Sequence, residues 1–131
     1  MNIKELETVI KLDATQRYSY FLKRVSDFEE IWILYHDDLG YALDEDKKGK
    51  LFLYLFPFEE YAKLFIEKES DFEEFYPKKI DLYQFKDVLI SKFTEKGVEF
   101  AFVFPVPNGW GYKISFAELV EDINNYIEEN F

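Results

Sequence analysis

The run Asp44-Glu45-Asp46-Lys47-Lys48-Gly49 contains the residues most suited to binding a metal ion. A calcium loop needs oxygen ligands at its first, third and fifth positions, a glycine at the sixth and an acid at the twelfth. Here the fifth position is Lys48 and the twelfth is Leu55. We therefore interpret Asp44, Glu45 and Asp46 as the polar tip of a hairpin. The chain has no cysteine and one histidine, which removes most transition-metal ligands, and neither a metal site nor a cofactor is predicted.

The single histidine, His36, precedes Asp37 and Asp38, and a histidine beside carboxylates could act as an acid–base group. Hydrolytic chemistry would also need a nucleophile on a strained turn. The serines fall instead on predicted helix faces, caps and loops: Ser19, Ser26, Ser70, Ser91 and Ser115. We therefore favour a non-enzymatic protein over an enzyme, and we keep His36 as the acid–base candidate of the alternative hypothesis.

A glycine-rich segment, Asn108-Gly109-Trp110-Gly111, follows a Pro-Val-Pro sequence. Proline cannot donate in a strand ladder and Asn-Gly tolerates positive φ, so the segment is predicted to be a turn. No predicted helix follows directly, which argues against nucleotide binding at a helix N-terminus. The Trp110 side chain either packs on the sheet edge or is exposed and contacts a binding partner. We therefore take Asn108, Gly109 and Trp110 as candidate binding residues.

The net charge is concentrated in one region of the chain. The protein has 27 acidic and 16 basic residues, a formal charge of −11, and residues 26–75 hold 15 of the acids but only 5 of the bases. Such an acidic chain is unsuited to neutralising phosphates, so nucleic acid is not a predicted partner. A negative field of this kind speeds encounter with a basic protein, although a solubilising surface is the alternative explanation. The candidate contact residues are Asp37, Asp38, Asp44, Glu45 and Asp46.

These residues must be positioned by a fold that the hydrophobic pattern predicts. A length of 131 residues suits one domain over residues 1–131, and its 21% aromatic content argues against disorder. The spacing of the apolar residues predicts helices and strands in the order α-α-β-β-β-α-(β)-α-β-β-α, where the strand in brackets is short. We therefore predict an α+β fold, in which a mostly antiparallel sheet of about five strands packs with helices.

Capping boxes predict where the longer helices begin. They lie at Asp13 to Gln16, Asp81 to Gln84 and Ser115 to Glu118. In the first of these helices the charged residues Arg17, Lys23 and Arg24 are expected on the solvent face. In the second the buried face is expected to comprise Leu82, Phe85, Val88, Leu89 and Phe93, with Gly97 closing the helix.

The sequence shows no targeting or membrane segment. Its first residues alternate charged with apolar side chains, unlike a signal peptide. The longest apolar stretches, such as 51–58, are far shorter than the roughly 20 residues that span a bilayer. We therefore expect a cytoplasmic protein that does not bind membranes.

Several segments resemble domain-of-unknown-function family 2750, a group of small bacterial proteins. The resemblance extends over about residues 13–123 and rests on short motifs: Arg17-Tyr18-x-Tyr20-Phe21, Glu30-x-Trp32-x-Leu34-Tyr35, Tyr41-Ala42-Leu43, Phe56-Pro57, Glu60-Tyr61-Ala62, Tyr76-x-Lys78-Lys79-Ile80-x-Leu82 and Val103-Phe104-Pro105-x-Pro107-x-Gly109-x-Gly111. It implies a single α+β domain and assigns no activity. The segment from Glu67 to Phe75 departs from the family's pattern, so no binding role is carried onto it. The last strands and helix are also similar in layout to the amino-terminal domain of the enhanced-serine-sensitivity B family.

Three hypotheses for function follow. The first is a non-enzymatic interaction module, of immunity or inhibitor type, that presents its acidic surface to a basic protein partner. The second is a small-molecule-binding domain or enzyme with a site near Lys78, Lys79 and Asn108. The third is a homodimer formed through exposed aromatic residues.

Overall fold

The computed structural model describes residues 3–107 and 111–131. The helices are α1 (Ile3–Val9), α2 (Ala14–Phe28), α3 (Glu59–Lys68), α4 (Leu82–Gln84), α5 (Ile90–Glu95) and α6 (Phe116–Asn130). A 3₁₀ turn spans Ser70–Phe72, and a π-helical segment, Phe85–Leu89, joins α4 to α5. The strands are β1 (Glu30–His36), β2 (Gly40–Tyr41), β3 (Leu43–Glu45), β4 (Leu51–Leu55), β5 (Tyr76–Asp81), β6 (Val98–Val103) and β7 (Tyr112–Ser115).

The helix starts follow the predicted caps. The Asp13 carboxylate accepts from the backbone N–H of Gln16 at 2.8 Å, and the Gln16 side chain accepts from the Asp13 N–H in return. The Asp81 carboxylate accepts from the N–H of Gln84, and the Ser115 hydroxyl from the N–H of Glu118. These bonds satisfy donors that have no partner within the helix.

The strands form an α+β domain with two joined sheets. Their orders are β2-β1-β5 and β3-β4-β6-β7, and every strand pair is antiparallel except β4 with β6. Two short strands lie on either side of Ala42, and they belong to different sheets, because β2 pairs with β1 whereas β3 pairs with β4. Ala42 donates to the carbonyl of Leu34 at 2.9 Å, and a single bridge pairs Trp32 with Phe56. The described parts of the chain thus form seven strands, where about five were predicted.

The second sheet has an aliphatic face and an aromatic face. Asp44 lies opposite Phe52 in the β3–β4 pair, Tyr54 opposite Phe102 in the β4–β6 pair, and Phe102 opposite Lys113 in the β6–β7 pair. Side chains at such paired positions share a face. The intervening residues are buried in the core: Leu53, Leu55, Ala101, Val103 and Ile114. Part of the aromatic face is covered by α3, whose Phe65 contacts Tyr54 with ring centroids 5.9 Å apart.

Two predicted burial assignments are wrong. Arg17 is buried, with 5% of its surface exposed, because its guanidinium reaches backbone carbonyls inside the fold. Val88 is 41% exposed, because it lies in the π-helical segment. The wider π turn shifts the spacing of the inward face, so Phe85 and Phe93 remain buried while Val88 faces outward.

An acidic loop connects α3 to β5. Helix α3 continues to Lys68 and β5 begins at Tyr76, which leaves residues 69–75 with the 3₁₀ turn among them. Within the described parts of the chain, no helix combines the length and apolar character needed to cross a bilayer.

Candidate functional site

Three carboxylates from separate parts of the chain line one cavity of about 250 Å³ on the aromatic face. Asp44 comes from β3, Glu69 follows α3 directly, and Asp71 lies in the 3₁₀ turn. The other lining residues are aromatic or apolar: Tyr54, Phe65, Phe72, Phe102, Pro105 and Val106. We call this cavity the acidic cleft.

The aromatic lining of the acidic cleft is packed into a fixed arrangement. The rings of Tyr54 and Phe102 stack with centroids 5.4 Å apart and an interplanar angle of 23°. Phe72 meets Tyr54 edge-on at 5.2 Å, and Phe65 packs against Phe72 at 5.5 Å. Aromatic faces carry a negative quadrupole that attracts cations, so these rings and the carboxylates favour the same kind of ligand.

The electrostatics of Tyr54 show that the three carboxylates act at one place. Burial raises the pKa of the Tyr54 phenol above its ordinary value, and the negative charges of Asp44, Glu69 and Asp71 raise it further. One cation offsets part of this field, because the Lys113 ammonium lies 3.3 Å from the Asp44 carboxylate. The same ammonium also lies over the Phe102 ring at 5.1 Å. Among the described residues that line the acidic cleft, three are acidic and none is basic.

The wall formed by Pro105 and Val106 is held from inside the protein. Phe104 has a φ of 49°, a left-handed conformation that costs a non-glycine residue about 1–2 kcal/mol. The Arg17 Nε–H donates to the Phe104 carbonyl at 3.2 Å, and the Tyr61 hydroxyl donates to the Pro105 carbonyl at 2.6 Å. Burial lowers the pKa of the Arg17 guanidinium from its ordinary value. These bonds hold a strained turn that neither proline nor local sequence would fix alone.

Sequence reasoning missed Arg17, although a signal was present. Arg17, Phe21 and Val25 are spaced by four residues and therefore lie on one stripe of α2, and all three are buried. We expected the Arg17 guanidinium to face solvent because arginine is charged, whereas the helical period places this position on the buried face of α2.

Next to the acidic cleft lies an apolar cavity of about 290 Å³. It is formed between α1, α3 and the Pro-Val-Pro segment, and its lining residues are Ile10, Tyr61, Leu64, Lys68, Val106 and Pro107. We call it the apolar groove. Val106 lines both cavities, so the acidic cleft and the apolar groove are neighbours.

His36 organises the turn after β1. Its Nδ1 accepts from the backbone N–H groups of Asp38 and Leu39 at 3.0 and 3.1 Å, which places the ring proton on Nε2. Nε2 lies 3.6 Å from a Glu74 carboxylate oxygen. Asp37 accepts from the Tyr76 hydroxyl at 2.9 Å. His36, Asp37 and Asp38 therefore join the first turn to the acidic loop at a place separate from the acidic cleft.

The predicted hairpin tip contains a local network of hydrogen bonds. One carboxylate oxygen of Asp46 accepts from the N–H groups of Lys48 and Lys50, both at 2.9 Å, and the bond from Lys50 is the main reason that the Asp46 pKa is lowered. Asp44 points to the acidic cleft instead, while Glu45 is exposed on β3. Among the residues that the structure describes, no group of three or more histidine and acidic side chains is placed to hold a metal ion.

Lys78 and Lys79 lie on β5 and line a cavity of about 170 Å³ with Tyr41, Asp81 and Gln84 among its other residues. The Lys78 ammonium lies 4.4 Å from the Tyr35 ring centroid, and that of Lys79 is 3.8 Å from a Glu30 carboxylate oxygen. Pro107, the described residue before Asn108, lines the apolar groove rather than this cavity. Asn108, Gly109 and Trp110 themselves lie outside the described residues.

Another cavity, of about 470 Å³, lies between α5, β6 and the start of α6. Its hydroxyl groups are already used, because Thr94 donates to the carbonyl of Ile90 and Ser115 caps α6. Glu99 is its single acidic residue, so this cavity brings fewer charges together than the acidic cleft.

A family model described as Protein of unknown function (DUF2750) matches residues 18–123 of the chain. The match begins within α2 and ends within α6, so it includes both sheets and every residue of the acidic cleft. No curated protein matches the chain.

Proposed function

We propose that this chain, which belongs to the DUF2750 family of proteins of unknown function, is a non-enzymatic interaction module. In this proposal the acidic cleft receives a cationic side chain from a basic protein partner. A bacterial cytoplasmic location, as expected from the sequence, is part of the same proposal and can be tested by cell fractionation.

The observation that carries the proposal is the position of Asp44, Glu69 and Asp71 around stacked aromatic rings. A guanidinium or ammonium group gains Coulomb energy from the carboxylates and cation–π energy from the rings, and neither gain is open to an anion. Lys113 neutralises part of the charge of Asp44, and Asp71 adds a second carboxylate from the 3₁₀ turn.

The regional charge supports the same partner class. Residues 26–75, which include the three carboxylates, hold 15 acidic and 5 basic residues. Such a field raises the rate of encounter with a basic surface and weakens as salt is added, because the Debye length is about 10 Å at 0.1 M salt.

A nuclear magnetic resonance titration tests the proposal. The probe is acetyl-Arg-Ala-Ala-amide, and acetyl-Gln-Ala-Ala-amide is the uncharged control. We expect the arginine peptide to shift amide signals around Tyr54 and Asp71, with weaker binding in high salt. The substitution Asp71→Asn should weaken binding about threefold to tenfold, as expected for a loss of 0.7–1.4 kcal/mol.

The matched control is Asp87→Asn, which removes an exposed carboxylate from the π-helical segment. It should leave the affinity of the arginine peptide unchanged. Equal shifts with the arginine and glutamine peptides would exclude cation recognition, and equal losses in the two variants would exclude the acidic cleft as its place.

A small-molecule site at Lys78 and Lys79 is the alternative, and the cavity of about 170 Å³ beside these residues is the observation that favours it. A thermal-shift screen against metabolites would test this alternative. A ligand present at 100 times its Kd adds about 2.7 kcal/mol of stability, and Lys78→Ala should then remove the shift.

A further inference from the structure

The acidic cleft and the apolar groove differ in chemistry although they share Val106. The cleft contains three carboxylates, whereas the groove is lined by Ile10, Leu64, Pro107 and the buried Tyr61. The one charged residue of the groove is Lys68, in the last turn of α3. Two neighbouring cavities with such different linings select two different side chains.

We propose that the two cavities together recognise an extended peptide segment in which a basic residue is followed two positions later by a large aliphatic residue. The basic side chain enters the acidic cleft and the aliphatic side chain enters the apolar groove. This inference rests on the proposed function for its basic residue and adds the neighbouring residue and its spacing.

The spacing follows from strand geometry. In an extended chain the side chains of residues i and i+2 point the same way and are about 7 Å apart, whereas residue i+1 points away. Two neighbouring cavities that share Val106 in their walls are therefore suited to an Arg-x-Leu pattern. Adjacent residues of an extended peptide cannot both point at this surface.

Charge fixes which cavity takes which residue. Lys68, which lines the groove, repels a second cation, while the carboxylates of the acidic cleft attract one. The groove's aliphatic walls gain stability only from an apolar group. The peptide therefore has one favoured orientation.

The turn that carries Val106 is already held in place in the unbound protein. Arg17 and Tyr61 hold the carbonyls of Phe104 and Pro105, immediately before Val106. A partner that binds across Val106 does not have to order this turn, which lowers the cost of association.

Three capped peptides test the pattern by the same magnetic resonance titration: acetyl-Arg-Ala-Leu-amide, acetyl-Arg-Ala-Ala-amide and acetyl-Gln-Ala-Leu-amide. The first should bind about tenfold more tightly than the second, because leucine buries more apolar area than alanine in the groove. It should also bind more tightly than the third, and its added shifts should fall at Leu64 and Ile10.

A substitution in the groove separates the two halves of the pattern. Leu64 is partly buried on α3, and Leu64→Gln keeps its size and helix propensity while making the wall polar. It should reduce the affinity for acetyl-Arg-Ala-Leu-amide to that for acetyl-Arg-Ala-Ala-amide, and leave the latter unchanged. Leu39→Gln, at an exposed leucine in the turn after β1, is the control and should change neither.

Failure of this inference can be distinguished from failure of the proposed function. If the two arginine peptides bind equally while the glutamine peptide binds more weakly, the groove plays no part but cation recognition stands. If the Leu64→Gln and Leu39→Gln variants bind acetyl-Arg-Ala-Leu-amide equally well, the groove is again excluded. If the arginine and glutamine peptides bind alike, both proposals are overturned.

Discussion

The hydroxyl of Tyr61 donates a hydrogen bond of 2.6 Å to the carbonyl oxygen of Pro105. Tyr61 lies on α3 and is fully buried, whereas Pro105 follows the end of β6. The bond thus connects α3 to the turn whose Val106 lines both the acidic cleft and the apolar groove. A phenol that packs against Phe104, with ring centroids 4.6 Å apart, also fixes where that turn leaves the sheet.

Removing this hydroxyl should destabilise the protein without changing its packing. We expect Tyr61→Phe to lower the free energy of unfolding by about 1–2 kcal/mol, because a buried carbonyl loses its donor. Urea unfolding followed by circular dichroism measures the change. Tyr83→Phe, at an exposed ring on α4, is the control and should alter stability by less than about 0.5 kcal/mol. Equal effects of the two substitutions would contradict the role of the bond.

Arg17 holds the same turn from α2. We expect Arg17→Met to cost about 2–4 kcal/mol, because the carbonyls of Phe104 and Leu12 lose a charged donor inside the protein. Lys23→Met, on the exposed part of the same helix, removes only a surface pair with Asp27 and should cost less than about 0.5 kcal/mol.

The two anchors should also be coupled. A double-mutant cycle of Arg17→Met with Tyr61→Phe should give an interaction energy above about 0.5 kcal/mol, since both residues support neighbouring carbonyls of one turn. Strict additivity of the two changes would show that the carbonyls are held independently.

Gly111 is required by the close approach of Phe102. A Cβ atom at Gly111 would lie 2.1 Å from Cε1 of the Phe102 ring and 2.9 Å from Cα of Pro105. We expect Gly111→Ala to destabilise by about 1–3 kcal/mol through overpacking, and to weaken peptide binding because Phe102 lines the acidic cleft.

Gly40→Ala provides the comparison for Gly111→Ala. Gly40 has a φ of 83° but no atom near its missing Cβ, so only backbone strain of about 1–2 kcal/mol is expected. This substitution should leave peptide binding unchanged. Weaker binding in Gly40→Ala, or unchanged binding in Gly111→Ala, would count against the steric explanation.

Stability should fall in alkaline solution. Burial raises the pKa of the phenols of Tyr18, Tyr20, Tyr54 and Tyr61 above their ordinary value of about 10. These groups are neutral in both states below pH 10. Above it the unfolded chain loses protons that the folded protein retains, so the free energy of unfolding decreases as the pH rises, by up to about 1.4 kcal/mol per pH unit for each phenol.

Unfolding by urea at pH 8, 9, 10 and 11 measures this decrease. Tyr18→Phe should make the decrease shallower, because the Tyr18 phenol is buried and donates to the carboxylate of Asp122. Measurements from pH 8 to 9 are the internal control, since the four phenols remain protonated there in both states. A stability that stays level from pH 9 to 11 would contradict the prediction.

Local features were readable from the sequence because each depends on neighbouring residues. The capping box at Asp13 requires only Gln16, and Gly97 could be identified as a helix end because a positive φ suits glycine. The same reasoning failed at Val88, where a π-helical turn interrupts the 3.6-residue period without a sequence signal that we could identify.

The candidate site depended on contacts that no local pattern contains. Residue types predicted that Asp44 and the acids of the loop would be polar and near the surface, but not that Asp44 would meet Glu69 and Asp71 around Tyr54. That meeting requires the change of sheet at Ala42, which leaves β3 paired with β4, and an α3 that ends above β4.

The sequence by itself determined the α+β class, the helix starts, the aromatic core and the regional negative charge, because periodicity, capping and composition act over a few residues. The tertiary structure alone decided that Arg17 is inside, that Val106 lines both an acidic cleft and an apolar groove, and which acids share a field. The physical reason is that these features arise from pairs such as Arg17 with Phe104 and Tyr61 with Pro105, which are 87 and 44 residues apart along the chain. Such contacts form only when strand pairing brings distant segments together.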